Sequence, residues 1–325
     1  MKNIHVYGWY NKNNCGDEAY KLAFSKVFPK YKFTFTDLDA KLTSDTCIIG
    51  GGDIFNDSYV NRALKAKNRY IISTGVNSLS PIDKIPYFDK VIVRDKDAYD
   101  QIKHYKNAAY MPDIAVSLEP NKARGEELIK SLSNRTELYE KKIGIIINAY
   151  LLPNTNSLNR DFLTFNHVAS HLVNTIDTTP ASFVFIPMST GMPFDDRISN
   201  GVIAHQCKFW KKNLYITEQL GVQDTLDIIS ACDVVVSSRL HSTIFSMLSE
   251  VPFLDITHHD KNRRYVDSLG FSNFSVPYWY FDPIQFKSKL STLMANDLVY
   301  KDKIKAVRLK QKEILTKVSN QISFE

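Results

Sequence analysis

The chain has 325 residues, 44% hydrophobic and 23% charged, with a formal net charge of +6. That composition is ordinary for a globular protein and excludes disordered and fibrous classes. The length favours two domains, each able to bury a core. The mild basicity includes no long cationic block, so nucleic-acid binding is not indicated, and a small anionic substrate accounts for the charge equally well.

No apolar run approaches the roughly 20 residues that span a bilayer, and the opening Met1-Lys-Asn-Ile-His-Val-Tyr-Gly8 reads as a strand rather than a secretory signal. Cys15, Cys47, Cys207 and Cys232 show no CxxC spacing. We expect reduced thiols in a cytoplasmic protein, with neither a disulfide framework nor a zinc ribbon.

In chain order, residues 3–7 form a buried strand, followed by a polar loop from Gly8 to Gly16 and a helical pattern from Asp17 to Phe28. This is the strand, loop and helix opening of a Rossmann-like unit. Asp17 and Glu18 stand at the helix start, where carboxylates suit the dipole. Capping accounts for both; the functional alternative is a sugar hydroxyl bound or deprotonated there. A second strand, 32–36, precedes the apolar run that ends in Gly50-Gly-Gly-Asp-Ile-Phe55. Consecutive glycines let backbone N–H groups approach a ligand, but the GxGxxG spacing and a P-loop lysine are missing. The plainer account is a tight turn at the carboxyl edge of a parallel sheet, with Asp53 or Asp57 capping the next element. Strand 69–73, the turn 74–81, strand 90–93 and a helix opening at Arg94-Asp-Lys96 complete this half. Arg94 lies at a strand end, where open α/β sheets hold ligands, or else it pairs with a nearby aspartate.

The polar stretch 119–142 carries helical spacing at Leu128, Ile129 and Leu132 and contains the domain boundary, placed at 135/136. A fresh alternation comes after it: strand 143–147, helix 160–176, strand 183–186, helix 197–209, strand 214–216 and helix 224–230. It implies a second parallel sheet covered by helices on both faces. His167 and His171 stand four apart but lack the HExxH glutamate, so a structural pair is expected and no metal site.

Val234 to Ile256 organises the second half. It reads as strand, tight turn with Ser237 and Ser238 able to cap, helix with Leu240, Ile244, Met247 and Leu248 on one face, then strand. A helix start offers unpaired N–H groups and a positive dipole end. Here Arg239 adds a planar fork for phosphate or carboxylate, and His241 a proton donor near neutral pH. The competing account pairs Arg239 with a carboxylate and leaves His241 in the core. His258-His259-Asp260 falls in the loop after the next strand, and Lys261 supplies a second cation beside Arg239. Tyr278-Trp-Tyr-Phe281 is a packing anchor or a sugar platform. The chain closes with helices over 283–295 and 298–318, the latter with one lysine-rich and one packed face.

Taken in order, five pieces resemble the polysaccharide pyruvyl transferase family: Asn14-Cys-Gly-Asp-Glu-Ala19, Gly50-Gly-Gly-Asp-Ile-Phe55, Val93-Arg-Asp95, Pro112-Asp113, and Ser238-Arg-Leu-His241 with Glu250-Val-Pro252. The resemblance covers most of the chain. It implies an α/β fold of two Rossmann-like domains with parallel sheets, similar to GT-B glycosyltransferases, with the active site in the interdomain cleft. Residues 1–135 would then serve the acceptor and 136–325 the donor, the last helix packing back on the first domain. The implied donor is phosphoenolpyruvate, a co-substrate with no other cofactor and no metal, and the product a cyclic pyruvate ketal on a saccharide or glycan. By the same resemblance Arg239 and His241, with Leu240 and Ser242 of the same turn, hold the donor. Lys261 matches a functional lysine of the family, and Arg94 is a further donor contact. Asn14, Gly16, Glu18, Gly51, Gly52 and Asp53 line the acceptor side, with Asp17 as a candidate base. Cys15 and His258-His259 depart from the family's usual residues. Two rival functions are a nucleotide-sugar glycosyltransferase, for which Glu250 alone is available to grip the nucleotide, and a non-catalytic glycan- or anion-binding module.

Overall fold

Each apolar run bounded by turn residues becomes a strand of one of two parallel sheets. The computed structural model describes residues 2–76, 80–133, 137–148, 160–191, 194–295 and 298–324. The chain divides into Met1–Leu118 with Leu309–Glu325, and Glu119–Arg308.

The first unit contains β1 (Lys2–Tyr7), α1 (Cys15–Val27), β2 (Tyr31–Thr36), β3 (Thr46–Gly50), α2 (Asp57–Ala63), β4 (Asn68–Thr74), β5 (Lys90–Val93), α3 (Lys96–Ile102) and β6 (Ala108–Tyr110). Its strands are all parallel in the order β2-β1-β3-β4-β5-β6. Every residue of β3 is buried, as expected of a strand covered on both faces and read as an unbroken apolar run. Because the order reverses between β1 and β3, connections leave those strands toward opposite faces and open a crevice at their carboxyl ends. The loops after β1 and β3 are the asparagine-rich stretch and the glycine turn.

The second unit contains α4 (Lys122–Leu132), β7 (Lys142–Ile146), α5 (Arg160–Thr178), β8 (Ser182–Phe185), α6 (Asp196–Gln206), β9 (Leu214–Tyr215), α7 (Val222–Ser230), β10 (Val234–Ser237), α8 (Leu240–Leu248), β11 (Phe253–Thr257), α9 (Asp260–Ser268), β12 (Ser275–Pro277) and α10 (Pro283–Met294). The parallel order β12-β11-β10-β7-β8-β9 is that of a Rossmann sheet. Its crevice lies between β7 and β10, at the turn that carries Arg239. The final helix, α11 (Leu298–Ser319), begins in this unit and ends in the first. Among the described residues no helix is long and apolar enough to cross a membrane.

Several local expectations need correction. The division falls at Leu118/Glu119 rather than 135/136, because α4 is tied to α7. Arg124 donates to Asp227 at 2.6 Å and also pairs with Asp224, and the Asn121 amide donates to Asp227 at 2.7 Å. Neither Ser237 nor Ser238 caps α8: the N-cap is Arg239, and no side chain caps it. Asn56, not Asp53 or Asp57, caps α2, accepting from the amides of Ser58 and Tyr59. Asn14 caps α1, which leaves Asp17 and Glu18 in its first turn. Asp260, expected in the loop, opens α9 together with Lys261. Of the turn 74–81, residues 77–79 lie outside the described residues.

The C-terminal segment completes the first unit's core. Phe324 packs its ring 5.1 Å from Phe28, 5.0 Å from Tyr31 and 5.0 Å from Tyr70, edge to face in each case. A phenylalanine buried this way contributes about 1.5–3 kcal/mol by area alone. The four cysteines are buried and form no disulfide among the described residues.

Candidate active site

In the second unit, the turn from β10 into α8 is fastened on three sides. The Ser238 amide donates to the Ile146 carbonyl at 3.0 Å, and the Asn148 amide donates to Ser238 Oγ at 2.8 Å, so the turn is locked to the end of β7. Ser237 Oγ accepts from the Arg239 amide at 2.9 Å and is hydrogen-bonded to Ser242 Oγ, which itself donates to the Arg239 carbonyl at 2.6 Å. These bonds fold the chain into the helix without a side-chain cap, and the first amides of α8 have no intrahelical acceptor.

Arg239 is held by a carboxylate that sequence reasoning missed. Asp196, fully buried at the start of α6, accepts from Arg239 Nη2 at 2.5 Å and from the amides of Met188 and Ser189 at 3.1 and 3.0 Å. The Arg239 side chain is 11% exposed, and its buried Nε has no partner among the described residues. A pairing with an acid is thus present, yet it occupies one edge of the fork and orients the rest. The only signal in the sequence was an acidic pair, Asp195-Asp196, ahead of a helical pattern, which reads as a cap; Asp195 does cap α6.

The next strand brings Lys261 to the neighbouring turn. Asn262, buried in the first turn of α9, donates from Nδ2 to the Ser238 carbonyl at 3.3 Å and to Asp255 Oδ1 at 3.2 Å. Thr257 donates to the other Asp255 oxygen at 2.6 Å. Asp255 is fully buried, and burial pushes its carboxyl up to about 6 despite those two donors. This chain joins the starts of α8 and α9, so Arg239, His241 and Lys261 emerge from adjacent turns at one sheet edge. Leu240 is buried in the first turn of α8, and His241 is half-buried with its ring edge-on to Phe245 at 6.5 Å.

In the first unit, the glycine turn and the loop after β1 meet at the other crevice. Gly51 and Gly52 take φ of +90° and +57°, the left-handed region that glycine favours. A Cβ on Gly52 would stand 3.2 Å from Asp17 Oδ1, so the buried Asp17 carboxylate lies against this turn. Asn14 Oδ1 accepts from the Gly16 amide at 3.0 Å. Glu18 accepts from the Asn11 amide at 2.6 Å and pairs with Lys21 at 2.5 Å, which holds the loop closed.

Arg94 takes the pairing role. Its Nη2 donates to Asp53 at 2.7 Å, and its Nη1 donates to Asp113 at 2.6 Å and to the Tyr20 hydroxyl at 2.9 Å. The residue is 7% exposed. Tyr20, buried and with its phenol raised above the ordinary range chiefly by desolvation, lies 2.8 Å from both the Ser73 carbonyl and Asp113. Gly75 makes room for this cluster: a Cβ there would stand 1.9 Å from Asp53 Oδ1.

The histidine pair and the aromatic run pack against each other. His167 and His171 meet edge to face with centroids 4.6 Å apart and pack against Phe281, whose carbonyl lies 3.2 Å from His167 Nε2. Among the described residues no group of three or more His, Cys, Asp or Glu side chains could hold a metal. In the aromatic run Tyr278 and Phe281 are buried, whereas Tyr280 is exposed.

Comparison with known proteins agrees with this architecture. The sequence model of the polysaccharide pyruvyl transferase family matches residues 10–260. No curated protein matches. Among solved structures, the UDP-GlcNAc 2-epimerase of Neisseria meningitidis bound to UDP-GlcNAc superposes with a TM-score of 0.59 at 10% identity, covering 98% of each chain. The spinosyn rhamnosyltransferase SpnG gives 0.59 at 8% identity, covering 99% of this chain and 100% of its own. At such identities the likeness is one of fold: two parallel-sheet α/β domains of the GT-B kind.

Proposed function

Because the chain belongs to the polysaccharide pyruvyl transferase family, we propose that it moves the pyruvyl group of phosphoenolpyruvate onto a saccharide acceptor as a cyclic ketal, with release of phosphate. The observation that carries this reading is the turn between β10 and α8, where Arg239 is fixed by Asp196 and its Nε is buried at a helix start with no partner among the described residues. Phosphoenolpyruvate bears a carboxylate and a phosphate close together. Such a ligand calls for fixed cations and oriented N–H donors. Arg239, Lys261 and the first amides of α8, those of Leu240, His241 and Ser242, supply them from adjacent turns.

In the proposed reaction His241 gives a proton to the methylene carbon, and the central carbon becomes electrophilic as the enol double bond is used. A sugar hydroxyl attacks that carbon and passes its proton to a carboxylate base. The carbon–oxygen bond to phosphate then breaks, phosphate leaves with the bonding pair, and a second hydroxyl closes the ketal with loss of its proton. Asn14, Gly16, Glu18, Gly51 and Gly52 shape the acceptor side. Arg94 acts through Asp53 rather than on the donor, since its guanidinium already serves two carboxylates.

A nucleotide-sugar transferase would need a glutamate after α8 to grip the nucleotide. Glu250 instead accepts from Arg308 at 2.6 Å, which favours the pyruvyl reading. The test is release of inorganic phosphate from phosphoenolpyruvate across a panel of galactosides, mannosides and N-acetylhexosaminides, with the added pyruvate read by mass. We expect acceptor-dependent release in the wild type and a loss of at least about a hundredfold in Arg239→Ala, the effect of removing a main electrostatic donor. Release of a nucleoside diphosphate from a nucleotide sugar instead would overturn the assignment, and binding of donor without turnover would leave a binding module.

A further inference from the structure

At the opposite edge of the second unit's sheet, the residues that lead into the strands enclose space. Tyr139, Pro180 and Lys212 shortly precede β7, β8 and β9, and they line a cavity of about 890 Å³. A second cavity of about 470 Å³ continues from it, since Thr178, Thr179 and Pro180 border both. Together they form one groove with two lobes, the size of a site for several sugar rings rather than one.

The lining is cationic and aromatic. Lys208, Lys211 and Lys212 stand in the first lobe, and Lys141 and Lys287 in the second, against the carboxylates of Glu137 and Asp177. The Asp177 carboxylate is engaged with the amides of Lys208 and Phe209, at 3.0 and 3.4 Å from Oδ1. Lys212 is fixed by the carbonyls of Ile176 and Thr179, at 2.7 and 2.8 Å, and its ammonium lies 5.9 Å from both the Tyr139 and Phe209 ring centroids. Those two rings are 48% and 58% exposed. Large aromatic faces left in solvent beside a fixed cation suit an amphipathic ring that carries a carboxylate.

We propose that this groove holds a linear acidic polysaccharide, away from the turn that carries Arg239. The identification of the ligand as a polysaccharide rests on the proposed function; the anionic character rests on the groove. A pyruvate ketal leaves a free carboxylate on the sugar, so a polymer already modified is itself acidic. The groove would then retain the chain while further units are modified.

The probe is a set of hyaluronan oligosaccharides, with maltooligosaccharides as the neutral control, titrated calorimetrically against the full chain. Hyaluronan should bind with an affinity that falls as salt rises, and the neutral control more weakly. The exposed pair Lys208→Glu with Lys287→Glu should weaken binding about tenfold or more, the loss of charge-assisted contacts, and Tyr139→Ala with Phe209→Ala should weaken it without changing the salt dependence. Phosphate release with a single-sugar acceptor should be unchanged in Lys208→Glu. Unaltered hyaluronan affinity in the lysine pair, equal binding of the neutral control, or displacement of hyaluronan by phosphoenolpyruvate would each overturn the proposal. Lack of phosphate release with groove binding intact would remove the pyruvyl reading alone.

Discussion

Asp255→Asn offers a measurement in which the structure predicts both sign and size. Asp255 is fully buried, and its carboxyl titrates near 6 instead of the ordinary 3.8 because desolvation outweighs the donors Thr257 and Asn262. The folded state therefore keeps a proton that the unfolded chain has already released. Below about pH 4 the group is protonated in both states and costs nothing. Between about pH 4 and 6 folding must take up a proton that the solution holds less and less readily, so stability is lost; above 6 the group is ionised in both states and the loss levels off. The gap of roughly two pH units corresponds to about 3 kcal/mol at most. Asparagine keeps the shape, removes the titration, and can still accept from Asn262 or Thr257. Urea unfolding of both proteins across pH 4 to 8 should show the variant gaining on the wild type by up to about 3 kcal/mol, nearly all of it acquired between pH 4 and about 6.5. A difference between the two that stays flat across this window would refute the account, and a variant losing ground with rising pH would reverse its sign.

Two further substitutions test the remaining framework. Asp196→Ala should cost about 3–5 kcal/mol in urea unfolding, because it strands the buried Arg239 guanidinium and two amides; a change below about 1 kcal/mol would mean that Arg239 is not held as described. Gly75→Ala puts a methyl 1.9 Å from Asp53 Oδ1 and 2.9 Å from Arg94 Nη2. It should lower stability by about 1–3 kcal/mol through overpacking, and a melting temperature equal to the wild type's would show that the cluster yields freely.

Much of the fold was legible because parallel strands buried on both faces read as unbroken apolar runs. Runs such as Thr46 to Gly50 and Val234 to Ser237 therefore stand out from their polar flanks. The turn at Arg239 was legible too, since an arginine and a histidine interrupt an apolar pattern there. Caps were not, because several candidates within three residues of a helix start satisfy the same rule. Asn56 takes the position, accepting from the amides of Ser58 and Tyr59, while Asp57 is already the first residue of the helix. Partners distant in sequence were also hidden: nothing near Asp196 reports that it meets residue 239, and nothing near Asn262 reports the Ser238 carbonyl. The boundary moved for a similar reason, since the polar helix α4 looks like a linker until Asp227 is seen to bind it at Asn121 and Arg124.

The return of Leu309–Glu325 to the first unit has a consequence for how the protein is made. The aromatic cluster around Phe324 draws on side chains from both ends of the sequence, so residues 1–118 emerge from the ribosome with part of their interior still unsynthesised. The second unit, contiguous in sequence, has all its parts before the first does. Acquisition of structure should therefore run against the direction of synthesis, and a fragment ending at residue 308 should hold a finished second unit joined to an open first one.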